Sequence, residues 1–451
     1  MKPPNLLTKL HARLGDFWWY SLMLFCACRA ADLLNAFVGL WLVPKYVDPS
    51  ELGAVMPLTQ FANFLAIPVA AFANTFRNEL TRLSIGKEFG KLKTLMRGVF
   101  AATAVFLFVA IVVARFLLPA FLERIRIVEG SLGLVIIAAS FVSAVAPIYS
   151  NALQALKKFK AQSILSIVGA PVRLIAMLLA MPFRAITGYF IGQAAVPVFT
   201  IGASVLALRK ELSVKPEPYW TQETCKKIFF TLILFLAIGV TDGAYSLVES
   251  MVIRQRLSDL DSAGFYMATR FSEIANFLVM TLSFAIFPFT AELAAKKQDL
   301  RPLILKATSI IIIFNIFAAI ASLVLANPIL SILPHGNVFK EYWWAIPWLI
   351  GIGTLTAFVL LYTTAQVSAQ HFSFLKWYLP CDLAYPALML LVSGHGYLID
   401  TIPTPLTEFL TSHNIYTLST ILWWMTAINF IKAAFCLVSI TSPRPSVERP
   451  Q

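Results

Sequence analysis

Twelve stretches of this chain are long enough and apolar enough to cross a lipid bilayer, and that pattern constrains the fold more than any motif does. A helix rises about 1.5 Å per residue, so about 20 mostly apolar residues cover roughly 30 Å of hydrocarbon. The runs are 18–43, 52–74, 96–119, 131–154, 162–183, 186–208, 228–253, 264–289, 303–326, 345–369, 374–394 and 416–440. A loop of about three residues near Arg184 separates the fifth from the sixth. The expected fold is an all-α polytopic membrane protein of about 12 transmembrane helices. Composition agrees: 59% of the 451 residues are apolar and 13% are charged, against about 45–50% and about 25% in soluble domains. A soluble enzyme with a hydrated surface is excluded, and so is a disordered chain.

The loop charges assign an orientation. One side collects Lys2, Lys9 and Arg13, the basic residues of 77–97, 157–160, 209–227 and 296–306, then Lys376, Arg444 and Arg449. The other side holds Lys45, Arg124, Arg126, Arg184, Arg254, Arg256 and Lys340. A bias of about three to one places both termini in the cytoplasm. The formal net charge of +13 is thus a topological signal and needs no nucleic-acid partner. The first run is too long for a signal peptide and lacks a clear cleavage site, so it is retained. The five cysteines lack framework spacing, and Cys26, Cys28, Cys381 and Cys436, which lie in apolar runs, read as buried thiols without a disulfide or metal role.

Five segments follow: a cytoplasmic segment 1–17, a six-helix bundle 18–208, a cytoplasmic linker 209–227 with Pro216 and Pro218, a second bundle 228–440, and a tail 441–451. Thr75 to Leu95 is basic and amphipathic, which suggests a helix lying along the inner leaflet. The two bundles show an internal repeat. Leu52-Gly53, Ala62-Asn63-Phe64-Leu65 and Glu79-Leu80 recur as Ala263-Gly264, Ala275-Asn276-Phe277-Leu278 and Glu292-Leu293. The offset is 211 at the glycine and 213 at both later points. Six helices is an even number, so both halves enter from the same side as parallel repeats. Transporters built this way bind substrate between the halves and rock one against the other.

Three stretches carry a family likeness. They are Ser262-Ala263-Gly264-Phe265-Tyr266-Met267-Ala268 through Phe284-Ala285-Ile286-Phe287-Pro288, then Pro49-Ser50-Glu51-Leu52-Gly53, and Ala152-Leu153-Gln154-Ala155-Leu156-Lys157-Lys158-Phe159. Together they resemble the polysaccharide flippases of the multidrug/oligosaccharidyl-lipid/polysaccharide exporter (MOP) superfamily, with Ala155 where that family usually has glycine. The resemblance implies two six-helix bundles in a V around a central cavity. It implies translocation of an undecaprenyl-diphosphate-linked sugar across the bacterial inner membrane. It also implies a monomer that can associate with polysaccharide assembly enzymes.

Charges inside the spans mark candidate sites, because each costs at least about 2.5–3.5 kcal/mol at mid-bilayer. Helix 1 has Arg29 and Asp32 on one face, extended by Asn35 into a polar stripe. Helix 8 repeats the device with Arg270 and Glu273. Helix 7 places Asp242 and Glu249 two turns apart on the face of Tyr245 and Ser246. They suit ion coupling, or neutralisation by a basic residue across a cavity. Arg173 stands in the middle of helix 5 with no acid within four residues, so pairing with a distant acid such as Asp242 stays open. Asp382 follows Pro380 in helix 11, and Lys432 of helix 12 is near enough to a span end to snorkel. A cavity holding Arg29, Arg173 and Arg270 suits a diphosphate, since guanidinium forms forked hydrogen bonds to phosphate oxygens. Asp32, Asp242, Glu249, Glu273 and Asp382 are the coupling or charge-balancing candidates. No cofactor is expected, and coupling to H⁺ or Na⁺ is open.

Other functions remain in view. Drug or small-cation export by a related branch would favour an acidic cavity. A membrane polymerase or ligase would need catalytic groups on 395–415, which has no Lys or Arg for a diphosphate. A non-transporting scaffold of the same fold is a further option. The chain has no Walker-type glycine loop for ATP.

Overall fold

The computed structural model describes residues 31–127, 132–156, 158–275, 290, 298–368, 372–392 and 417–441. Every regular element among them is helical. α1 is helical from residue 31, passes through a π-helical turn Val38–Leu42 and ends at Tyr46. Then come α2 (Val55–Ile85), α3 (Phe89–Arg124), α4 (Leu132–Ala155), α5 (Phe159–Ala180), α6 (Ala185–Ala207) and α7 (Gln222–Arg256). α8 covers 259–275. It is followed by α9 (Arg301–Ile332), α10 (Ala345–Ser368), α11 (Leu375–Val392) and α12 (Leu418–Thr441).

Eight of these are long and apolar enough to span: α2, α4, α5, α6, α7, α9, α10 and α12. A ninth, α3, meets the criterion as two pieces bent by 42°. The first and eighth apolar runs extend beyond the described residues. α11 carries Lys376, Asp382, Pro380 and Pro386 within 18 residues and is not among the eight. The expected short turn at Arg184 is there: α5 ends at Ala180 and α6 starts at Ala185. Gly188 permits it, because a Cβ there would strike the Ala180–Met181 backbone.

Packing divides the chain into two compact units, Met1–Gln255 and Arg256–Gln451. The division falls at the end of α7, beyond the 209–227 loop. Gly239 and Gly243 explain why α7 packs with the first unit, since both lie against Ile67 of α2 and Gly243 also meets Phe64. The same neighbours recur in both units. α4 packs on α3 and α6, and α5 on α6; correspondingly, α10 packs on α9 and α12, and α11 on α12.

The Thr75–Leu95 segment does not form a surface helix. α2 runs 31 residues, about 46 Å at 1.5 Å per residue, well beyond the hydrocarbon thickness. The chain turns at Gly86 and returns as α3. Leu80, Leu83, Leu92 and Leu95 are at most 2% exposed and join a core with Val99, Ala152, Leu208 and Tyr219. The leucines that look lipid-directed in sequence therefore face protein, each burial worth about 1.5–3 kcal/mol. The linker is strapped to this extension. Lys93 Nζ donates to Val214 O at 2.8 Å, Thr94 Oγ1 to Glu217 O at 2.7 Å, and Tyr219 OH to Glu79 Oε2 at 3.1 Å. Burial, reinforced by the Glu79 carboxylate, pushes the Tyr219 hydroxyl up to about 12. The hydroxyl therefore stays a donor at neutral pH.

The repeated glycine motif has a packing reason. Ser258 Oγ accepts from Asp261 N at 3.0 Å, capping the start of α8, and donates to Asp261 Oδ2 at 2.7 Å. Tyr342 OH donates to Asp261 Oδ1 at 2.8 Å, and its ring lies on Gly264 where a Cβ would go. Burial and the Asp261 carboxylate both raise the Tyr342 hydroxyl well above its ordinary value. In the first half, Asp48 caps the turn Pro49–Leu52 by accepting from Ser50 N at 3.0 Å and Ser50 Oγ at 2.7 Å.

Candidate functional site

In the first unit the polar stripe of α1 meets the arginine of α5. Arg173 Nη1 donates to Asn35 Oδ1 at 2.7 Å, across 138 positions of sequence. Arg173 and Asn35 are both partly buried, as is Asp32 one turn earlier on α1. The π-helical turn Val38–Leu42 begins three residues after Asn35. Such turns shift the side-chain register of a helix and are frequent at functional sites. Arg29 lies outside the described residues.

On α7 the two carboxylates differ in environment. Asp242 is exposed, whereas Glu249 is only 6% exposed. Two turns separate them on one face, so the polar face of α7 is open at one end and closed at the other. The closed end leads to Arg254, which is 2% exposed and donates Nε to Ile125 O at 3.1 Å. Arg126 answers it by donating Nη2 to Gln255 O at 2.9 Å. Each arginine thus holds the backbone beside the other, joining the ends of α3 and α7. Loop-charge sorting gives no sign that Arg254 is buried in protein. The only hint is a basic residue closing a run that holds two acids.

Two charge pairs among the described residues lie within the second unit. Arg270 Nη1 donates to both Glu273 carboxylate oxygens, at 3.0 and 2.8 Å, and its guanidinium lies 5.2 Å from the Tyr266 ring centroid. Binding an anion at Arg270 would compete with Glu273 on its own helix. Asp382 of α11 pairs with Lys432 of α12. Lys432 does not snorkel: its side chain is 8% exposed and Asp382 is 0% exposed. The acid draws the ammonium inward, because an unpaired buried carboxylate costs more than a bent lysine stem gains at the interface. Neutral polar groups tie α9 to α10 and α10 to α12. Asn315 Nδ2 donates to Thr354 Oγ1 at 2.9 Å, Trp348 Nε1 to Thr426 Oγ1 at 2.9 Å, and Thr356 Oγ1 to Asn429 Oδ1 at 3.2 Å. Asn63, by contrast, bonds along its own helix, to Gln60 Oε1 at 3.3 Å.

No protein-family model matches the chain, and no curated protein matches it. Solved structures do. An inward-facing multidrug resistance MATE family transporter of the MOP superfamily aligns with a TM-score of 0.66, at 11% identity, over 93% of this chain and 98% of the other. The lipid II flippase MurJ, in an inward closed conformation, aligns with a TM-score of 0.60, at 12% identity, over 94% and 87%. A MOP superfamily transporter from Pyrococcus furiosus, whose binding pocket is described as having reverse polarity, aligns with a TM-score of 0.60, at 12% identity, over 98% and 99%. These likenesses span nearly the whole chain, and the fold is the one that MOP-superfamily transporters share.

Proposed function

We propose that the protein is a flippase for an undecaprenyl-diphosphate-linked oligosaccharide, or a similarly anionic lipid-linked sugar. It would act by alternating access in the bacterial inner membrane, with both termini cytoplasmic, to supply cell-surface polysaccharide assembly. Arg173 carries this reading. A guanidinium midway along an apolar helix is costly to insert, and α1 presents Asn35 to orient it. It keeps its charge at any physiological pH and matches phosphate oxygens in a forked geometry. Asp242 and Glu249 would serve coupling to H⁺ or Na⁺, one reached from outside and one sheltered. Arg270 with Glu273 and the Asp382–Lys432 pair would balance charge in the second unit.

In cells that depend on this chain for surface polysaccharide, Arg173→Ala at normal membrane abundance should accumulate lipid-linked oligosaccharide on the inner face. Arg173→Lys should restore part of the flux. Full flipping by Arg173→Ala would remove the cationic site from the account. A second reading, export of small cations or drugs, draws on the carboxylates of α7 and on the multidrug transporters among the structural neighbours. Dye efflux abolished by Asp242→Asn, with polysaccharide output unchanged, would favour it.

A further inference from the structure

One end of the first unit carries four exposed cations at one level. Arg97 lies just over two turns into α3, Lys160 is the second residue of α5, Arg209 follows the end of α6, and Lys226 is in the second turn of α7. A shared core fixes their level. Each lies within five residues of Leu95, Leu165, Leu208 or Ile228, which belong to one buried cluster. No hydrogen bond or ion pair engages any of the four among the described residues. The carboxylates at this end are placed elsewhere. Glu79 pairs with Arg82, Glu88 with Lys91 and Glu211 with Lys158, at 2.8, 2.6 and 2.8 Å. Glu217 rests on Gly90 at the start of α3. Glu223, one turn before Lys226, is exposed and makes no bond to it.

The cations stand at the edge of the apolar surface. On α3, α5 and α7 a large, exposed apolar residue lies one turn deeper on the same face: Phe100 after Arg97, Ile164 after Lys160 and Phe230 after Lys226. Leu206, three residues before Arg209, is exposed in the same way. Trp220 marks this level too. Its ring lies on Gly98 and meets Phe76 edge-on at 6.2 Å, and it stays partly exposed. Tryptophan belongs at the boundary between hydrocarbon and headgroups, so a long cationic side chain beside it reaches the lipid phosphates.

We propose that this collar binds anionic phospholipid headgroups of the surrounding leaflet, the cytoplasmic one in the orientation proposed above. Charge complementarity selects the partner. Four unengaged cations at headgroup depth meet a negatively charged surface, and each is worth about fivefold in binding. The two arginines add forked hydrogen bonds to phosphate oxygens. A soluble acidic protein would not match the apolar residues one turn deeper. Zwitterionic lipid offers a phosphate without net charge, so the collar discriminates between the two lipids.

The test is native mass spectrometry of the purified full chain, titrated separately with dioleoylphosphatidylglycerol and dioleoylphosphatidylcholine. The parent should retain phosphatidylglycerol in preference. Arg97→Gln alone should lower that preference about fivefold. Arg97→Gln, Lys160→Gln, Arg209→Gln and Lys226→Gln together should lower it by about tenfold or more. The charge-keeping set Arg97→Lys, Lys160→Arg, Arg209→Lys and Lys226→Arg should keep most of it. Lys87→Gln is the control. Lys87 is equally exposed but precedes α3, which puts it about 12 Å outward of Arg97 along the helix, past a headgroup layer of roughly 5–8 Å. It should leave the preference unchanged. Tryptophan-fluorescence melting confirms that each variant is folded. Equal retention of both lipids by the parent, a preference that survives the quadruple Gln variant, or an equal loss on Lys87→Gln overturns the proposal. The measurement involves no transport, so its outcome is separate from that of the Arg173 reading.

Discussion

The Asp382–Lys432 pair makes the sharpest stability prediction. Asp382 is 0% exposed and the Lys432 side chain 8%, so neither charge can turn to water if its partner is removed. Lys432 Nζ also lies 5.8 Å from the Tyr378 ring centroid, which cannot replace a full negative charge. Removing one member of a buried pair costs about 3–5 kcal/mol, because the other is left as an uncompensated buried charge. Asp382→Asn keeps the shape and strands the ammonium. Lys432→Met keeps the length and strands the carboxylate. Each should destabilise the protein by about 3–5 kcal/mol. Asp382→Leu combined with Lys432→Met removes both desolvation costs, and such replacements are often neutral or stabilising. The double variant should therefore recover most of the loss. Reversible unfolding in mixed micelles, followed by tryptophan fluorescence, gives all corners of the cycle. Single variants within about 0.5 kcal/mol of the parent, the range for unremarkable surface sites, would refute a buried unscreened pair. So would a double variant equal to the sum of its singles.

Three other outcomes follow from particular contacts. Gly264→Ala should cost about 1–3 kcal/mol by overpacking against the Tyr342 ring, and Tyr342→Ala in the same chain should make the added methyl tolerable; an unchanged melting temperature for Gly264→Ala would contradict the close approach. Burial alone would push Glu211 up, but the Lys158 ammonium at 2.8 Å outweighs it and holds the carboxyl below its ordinary range. The native state then binds fewer protons than the unfolded one, so this stability is complete above about pH 4.3 and fades as pH falls through the lower native value; Lys158→Met should flatten that acid limb of an unfolding-versus-pH curve. Cys225 is exposed at the start of α7, and Lys340 is exposed between α9 and α10. In intact cells a membrane-impermeant maleimide should reach Lys340→Cys and spare Cys225, and labelling of both at one rate would overturn the orientation.

The spans were legible because a bilayer imposes a length on any apolar helix, and α4, α5, α6, α9, α10 and α12 lie where the runs place them. The charges inside them were legible for the same reason. Their partners were not. Arg173 meets Asn35 across 138 residues, and Asp382 meets Lys432 across 50, through helix packing that no local spacing encodes. Arg270 and Glu273 could be paired from sequence because three residues is nearly one turn. The leucines of 80–95 mislead for a related reason. An amphipathic period shows that one face is apolar, and it cannot tell whether lipid or a second helix covers that face. Here the hairpin covers itself, and the linker through Tyr219 and Trp220 closes over it.

The duplicated halves place a charge in the same local setting and use it differently. Pro171-Val172-Arg173 of α5 and Pro380-Cys381-Asp382 of α11 each put a helical proline two residues ahead of the charge. A proline inside a helix forfeits one backbone hydrogen bond and bends the axis, which brings the next turn toward a neighbour. The two helices hold corresponding places, α5 against α6 and α11 against α12. The signs are opposite and so are the environments. Asp382 is sealed off with a lysine, while Arg173 is partly accessible and is positioned by an amide of α1. A sealed pair can hold two helices together but cannot reach a ligand. An accessible guanidinium can. Neutralising Asp382 should therefore lower stability first, whereas neutralising Arg173 should lower transport in a protein that still folds. If the proposed reading holds, the halves divide their duties between an anchor at Asp382 and a site at Arg173.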